Sequence, residues 1–184
     1  MLSNEELIKG CIKKKSRAQR QLYEVYKSRL MGLCVRYTRN REEAEDVFQE
    51  GFVRIFNSIA QLKEANRLEP WLKQTMVNTA INYYHKNKRH QGHADVGDFD
   101  GSNSDYQRII SDLTNEQLVE VVNQLPPGYK MVFNLYVIES YTHKEIGEML
   151  NISENTSKSQ LSKAKAMLKR AFKQMGIERY EKYV

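Results

Sequence analysis

Apolar residues recur at three- and four-residue intervals along most of this chain, and no stretch shows the strict alternation that marks a half-buried strand. In the first half, Leu22, Val25, Tyr26, Leu30, Leu33 and Tyr37 form one helical stripe over about Arg17 to Thr38. Ala44, Phe48, Phe52, Ile55 and Phe56 form the next. Local start signals accompany both. Ser3 with Glu6 makes a capping box for a first helix, and Asn40 with Glu43 opens the helix that runs to about Ile59. Leu62 to Glu69 reads as a loop. Pro70 then sits in a first helical turn, where its missing N–H costs nothing, and a fourth helix extends to about Arg89.

The pattern breaks between His90 and Asp105, where Gly92, Gly97, Gly101, Ser102 and Ser104 are interspersed with Asp95, Asp98, Asp100 and Asp105. Few apolar residues and like charges predict a flexible acidic tether, either simply solvated or with a role of its own. Periodicity resumes near Asp112. Thr114 with Gln117 offers another capping box, and a helix carrying Leu118, Val121, Val122 and Leu125 ends at Pro126 and Pro127. A further helix holds Met131, Val132, Leu135, Tyr136 and Ile138. No internal repeat is visible. The prediction is an all-α chain of two small helical domains joined by the acidic linker: residues 1–90, a linker at 91–111, a second domain at 112–175 and a tail at 176–184.

From Tyr141 to Arg170 the local signals agree on a helix-turn-helix. Thr142 and Glu145 form a capping box, Ile146, Met149 and Leu150 share a face, and Gly147 sits where two helices can cross closely. Asn151 tolerates a left-handed turn, Ile152 plugs the turn toward the core, and Ser153 is a good N-cap for the next helix. There Leu161, Ala164 and Leu168 make the buried stripe, leaving Lys158, Ser159, Ser162, Lys163 and Lys165 outward or at the flanks. Between Asn155 and Ile177 stand six Lys or Arg and no acid, which suits a polyanion because each cation placed on a phosphate releases counterions. An ordinary solvated basic face is the alternative.

Composition adds bounds. The 184 residues carry a net charge of +6 and a pI near 9.2, which favours a nucleic-acid partner over an acidic small substrate. Cys11 and Cys34 have no metal or redox spacing, and the four histidines are scattered, so neither a disulfide framework, a metal nor a cofactor is expected. No apolar run reaches membrane-spanning or signal-peptide length, and a reduced cytoplasmic setting fits. No nucleophile, metal-ligand or phosphate-loop spacing argues for an enzyme.

Two helices of the first block have a chemistry of their own. The third presents Glu42, Glu45, Asp46, Gln49 and Glu50 opposite its Phe-rich stripe, which suits a basic protein surface, or is merely solvated near a helix start that favours acids. The fourth carries Trp71, Asn78, Asn82, His85 and Arg89 near one side, with Lys86 and Lys88 at its end. Aromatics, amides and cations together can stack on unpaired bases, bond their edges and hold phosphates, although Trp71 and Tyr83 are also candidates for the core. Tyr83 and Tyr84 are adjacent and cannot both be core, which leaves one to stack.

These segments resemble, in order, the extracytoplasmic-function (ECF) group of bacterial RNA polymerase sigma factors. The matching stretches are Leu22-Tyr23-Glu24-Val25-Tyr26, Ala44-Glu45-Asp46-Val47-Phe48-Gln49-Glu50, Pro70-Trp71-Leu72, Asn78-Thr79-Ala80, Leu125-Pro126-Pro127, Tyr141-Thr142-His143-Lys144-Glu145-Ile146 and Lys158-Ser159-Gln160-Leu161-Ser162-Lys163-Ala164-Lys165. The resemblance implies a region 2 domain and a region 4 domain, a core RNA polymerase partner and promoter DNA. It implies that Asp46, Phe48, Gln49 and Glu50 dock on the polymerase. The loop from Lys63 to Glu69 with Arg67, and the helix with Trp71, Asn78, Asn82, Lys86, Lys88 and Arg89, would read a melted minus-10 element. Thr156, Lys158, Ser159, Ser162 and Lys163 would meet the duplex minus-35 element, the acidic linker would follow the RNA-exit path, and an anti-sigma factor is a further expected partner.

The chain departs from the family pattern at the turn into the last helix. Asn155, Thr156 and Ser157 stand where Gly-Thr-Val is common, so Ser157 is expected to weaken helix packing. Gln160 and Lys163 lack the planar fork that arginine offers to guanine, so the minus-35 preference is not transferable. The competing reading is a stand-alone helix-turn-helix regulator that binds duplex DNA without polymerase.

Overall fold

The computed structural model describes residues 2–91 and 121–174, and the chain divides into two compact units, Met1–Lys86 and Asn87–Val184. The described residues are helices and turns without a strand. The acidic tether, the Thr114 capping box and the tail lie outside them.

The first unit begins with α1 (Asn4–Ile12), whose N-terminus is closed by the expected reciprocal bonds between Ser3 and Glu6. α2 (Ser16–Tyr37) follows, and the chain leaves it at Thr38, whose hydroxyl donates back to Cys34 O at 2.9 Å. α3 (Arg41–Ser58) is capped by Asn40 as predicted, with Glu43 N donating to Asn40 Oδ1 at 2.9 Å. Leu62 to Glu69 is more regular than a loop. Short 3₁₀ turns at Ile59–Gln61 and Ala65–Arg67 lead into α4 (Leu68–Gln91), which starts before Pro70 because Leu68 is fully buried and draws the chain into the helix early. Pro70 still falls in the first turn, where no carbonyl waits for its N–H. Leu22, Leu33, Val47, Ile55, Leu72 and Met76 form the centre of this unit.

The second unit is built on its last helix. Residues 121–123 are helical, Pro126 leads into α5 (Pro127–Phe133), and a π-helical turn (Asn134–Ile138) continues it. The expected single α-helix is therefore interrupted, with Glu139 N bonding Asn134 O at 3.0 Å. Lys130 through Leu135 are all buried, so this segment is covered on every side and its apolar positions do not mark a single face. α6 (His143–Leu150) and α7 (Glu154–Gln174) complete the helix-turn-helix, with α5 and α6 both packed on α7.

Candidate protein and nucleic-acid interfaces

On α3 the positions 46, 49, 50 and 53 fall on one face, because residues three, four and seven apart stack on a helix. Asp46, Gln49 and Glu50 are exposed there, with Glu50 held by Arg54 at 2.6 Å and Asp46 in no ion pair among the described residues. Glu42 is exposed, and Glu45 pairs with Arg41 at 2.8 Å. Phe48, expected both in the core stripe and among the docking residues, lies on the core side. It is only 5% exposed, inside an aromatic cluster with Tyr23 and Phe52, because position 48 belongs to the core stripe and not to the acidic face. The face nevertheless has an apolar centre that charge reading missed: Val53 is 60% exposed, and Tyr23, 38% exposed, lies 5.0 Å from the Phe52 ring. Its spacing from Asp46 and Gln49 was the available signal for Val53.

On α4, Asn78 and Asn82 are exposed one turn apart, and Trp71, two turns before Asn78, is half-buried. Trp71 is thus neither full core nor a free ring. Gln74 Nε2 donates to Asn78 Oδ1 at 3.0 Å, which fixes one orientation of that amide. His85 and Lys88 are half-buried, Lys86 is exposed, and the Arg89 side chain lies outside the described residues. Both Tyr83 and Tyr84 are half-buried, and burial raises the Tyr84 hydroxyl pKa. The preceding turn is anchored at both ends: Asn4 Nδ2 donates to Ala65 O at 3.3 Å, and Arg29 pairs with Glu69 at 2.6 Å. Arg67 is exposed on that turn, 3.2 Å from Glu64.

In the second unit, Thr142 and Glu145 close α6 reciprocally, and Asn151 takes the left-handed conformation at φ 54° and ψ 52°. Ser153 accepts from Thr156 N at 2.9 Å and caps α7. Gly147 makes its close approach to the turn itself, since a methyl group there would sit 2.8 Å from Ile152 O.

Along α7, Lys158 is exposed and pairs with Glu154 at 2.7 Å. The Thr156 and Ser159 hydroxyls are engaged locally, with Ser153 Oγ at 2.8 Å and Thr156 O at 3.0 Å respectively. Lys163 is half-buried. Two residues expected outward are not fully so. Ser162 Oγ is covered and makes no hydrogen bond, and Lys165 is 5% exposed, with burial lowering its pKa. Lys165 follows Leu161 by four residues and precedes Leu168 by three, so it falls on the stripe that α5 and α6 cover.

Ser157, expected to weaken the packing between α6 and α7, is not left without a partner. It is fully buried, and its hydroxyl lies 2.9 Å from His143 Nδ1, so α6 and α7 are joined there by a hydrogen bond where an apolar contact was missing. The His143 ring stacks on Tyr136 at 4.4 Å and 19°. Burial, then Lys158, lower the His143 pKa, partly opposed by Glu154. The two partners stand fourteen residues apart, and no sequence signal links them.

No group of three or more His, Cys, Asp or Glu among the described residues is placed to hold a metal, and no described helix is long and apolar enough to cross a membrane. Cys11 and Cys34 are both buried, and burial pushes the Cys34 thiol up to about 12, well away from a thiolate nucleophile.

Two sigma-70 profiles match the two units: region 2 over residues 22–90 and region 4 over residues 115–168, together more than half of the chain. The ECF RNA polymerase sigma factor SigM of Bacillus subtilis is 28% identical over 154 residues, covering 81% of this chain and 91% of the relative. SigW of the same organism is 27% identical over 187 residues, covering 93% and 100%. The ECF RNA polymerase sigma-E factor of Haemophilus influenzae is 25% identical over 178 residues, covering 91% and 94%. Among solved structures, CnrH in complex with the cytosolic domain of CnrY is 16% identical at a TM-score of 0.47, covering 91% of this chain and 96% of that one. The two units are those of a promoter-directing initiation factor, and the chain belongs to the ECF group of sigma-70 factors. It is a non-enzymatic transcription factor whose partners are core RNA polymerase and promoter DNA.

Proposed function

We propose that the three surfaces divide the work of promoter recognition in the cytoplasm. The acid-rimmed face of α3, with Asp46, Gln49, Glu50 and Val53, docks on core polymerase, and Phe48 supports it from beneath. An apolar centre surrounded by carboxylates fits a protein partner with basic side chains, since the burial gives affinity and the charges select the partner. The turn with Arg67 and the α4 face with Trp71, Asn78, Asn82, Lys86, Lys88 and Arg89 receives melted minus-10 DNA. The observation that carries this reading is the pair of exposed amides at Asn78 and Asn82, two turns along from a half-buried Trp71 on the same face. Amides bond the edges of unpaired bases, and a partly accessible indole offers a stacking platform.

The outer face of α7, with Thr156, Lys158, Ser159, Ser162 and Lys163, lies in the major groove of the duplex minus-35 element. Ser162 contributes only if its hydroxyl turns outward on binding, which DNA favours by supplying the partner it lacks. An anti-sigma factor is a further partner in keeping with the family. Permanganate footprinting of promoter melting beside duplex binding tests the division. Asn78→Ala should impair melting and spare duplex binding, whereas Lys163→Ala should relax preference at one or two upstream positions and cost about 1–3 kcal/mol. Full melting activity in Asn78→Ala, or a downstream shift in Lys163→Ala, would refute it.

A further inference from the structure

The turn joining α1 to α2 concentrates positive charge that neither helix explains. Lys13, Lys14, Lys15, Arg17 and Arg20 fall within eight residues, and no acid occurs between Glu6 and Glu24. All five are exposed, and none is in an ion pair among the described residues. The nearest acids in sequence are occupied: Glu6 closes the α1 capping box, and Glu24 holds Lys27 at 2.6 Å.

Three local choices here oppose the stability of the free chain. Lys14 stands at φ 52°, in the left-handed region that glycine enters most cheaply. The turn is nevertheless well defined, with Lys14 N bonded to Cys11 O and Lys15 N to Gly10 O, both at 2.9 Å. α2 starts without a side-chain cap and without an acid in its first turn, as α5 also does, while α1, α3, α4, α6 and α7 each carry such an acid. Cations instead surround that start, against the helix dipole. Like charges crowded on one turn repel as well. A bound anion relieves the dipole and repulsion terms together and gives the left-handed lysine a purpose.

We propose that this turn is an additional phosphate-binding surface, which holds the backbone of promoter DNA without reading its sequence. The proposal rests on the chain's role as a promoter-directing factor and extends it to a surface outside the three already described. The patch contains no aromatic ring, so it offers no stacking platform for bases, whereas mixed lysines and arginines suit phosphates. Ile12, 46% exposed, borders it at the end of α1, and a single isoleucine is no wedge for a lipid surface.

The test is the salt dependence of promoter binding by holoenzyme reconstituted from core polymerase and the full chain. Removing four charges in K13Q/K15Q/R17Q/R20Q should make the slope of log affinity against log salt shallower by about 2–4, at about 0.9 for each phosphate left without its cation. Core polymerase affinity and base preference at both elements should stay as in the parent. Lys14→Gly should melt at or above the parent while flattening the slope by about 1. An unchanged slope in the fourfold variant overturns the proposal. So does a loss of core polymerase affinity, which would assign the patch to an acidic protein surface. A parent-like slope with lost binding to phosphatidylglycerol vesicles overturns it in favour of a membrane. Failure of the parent chain to form a holoenzyme would overturn the promoter-directing reading itself, a result separable from the others.

Discussion

Gly147→Ala sets helix propensity against the geometry of the helix-turn-helix, and the structure predicts that geometry wins. In an open helix the substitution stabilises by about 1 kcal/mol, because alanine loses less backbone freedom on folding. Here the new methyl group would sit 2.8 Å from Ile152 O, 3.6 Å from Glu154 N and 3.7 Å from the Ser153 carbonyl carbon. A carbon and a carbonyl oxygen rest no closer than about 3.3 Å, so the turn has to retreat by roughly half an ångström. It is poorly able to do so. Ile152 N bonds Gly147 O at 3.0 Å, Asn151 is already left-handed, and Ser153 caps α7. Overpacking of this kind costs about 1–3 kcal/mol, leaving a net loss of up to about 2 kcal/mol after the propensity gain.

At about 4–8 °C per kcal/mol for a small domain, the helix-turn-helix unit should melt lower by up to about 16 °C. Far-UV circular dichroism follows both units, whereas fluorescence of Trp71, the single tryptophan, reports on the first unit and should not move. Because the same retreat displaces the start of α7, duplex minus-35 affinity should fall with it. Glu148→Ala, on an exposed position of the same helix, controls for propensity alone. If Gly147→Ala melts at or above the parent and keeps its duplex affinity, α6 is not tightly packed against the turn and the reasoning fails.

Acidification should loosen the joint between α6 and α7. His143 has a folded pKa below its ordinary value, so the folded state disfavours its proton; the stability it contributes is present above about pH 6.5 and lost as pH falls below that value. Melting curves from pH 7.5 to 5.5 should show that loss, and His143→Gln should flatten it; an identical pH dependence in the variant would remove His143 as the cause. Ser157→Ala, which leaves His143 without its buried partner, should cost about 1–3 kcal/mol, read by urea unfolding. On α3, Asp46→Lys with Glu50→Lys should weaken core polymerase binding at an unchanged melting temperature. Phe48→Ala should instead lower stability by about 3–5 kcal/mol, because its ring lies in the core cluster. Polymerase binding that survives the double reversal would make the acidic face a solvated one.

The parts of this fold legible in the sequence are those whose causes act within a few residues. Ser3 with Glu6, Asn40 before Glu43, Thr142 with Glu145, and Ser153 at α7 satisfy helix-end donors three positions away, so their chemistry is written locally. Asn151 announces its left-handed turn in the same way. The ordered motifs also carried the family, because their spacing survives whatever the side chains around them do. What only the tertiary structure decided is which side of each stripe a residue finally takes. Trp71, Tyr83 and Tyr84 all come to rest half-buried on α4, and the Ser162 hydroxyl, expected outward on α7, is covered. The π-helical turn after Phe133 follows a segment buried on all sides, where periodicity carries no facing information. Ser157 finds His143 across fourteen residues, a pairing set by how two helices meet, and burial created by such long-range packing leaves no mark at short range.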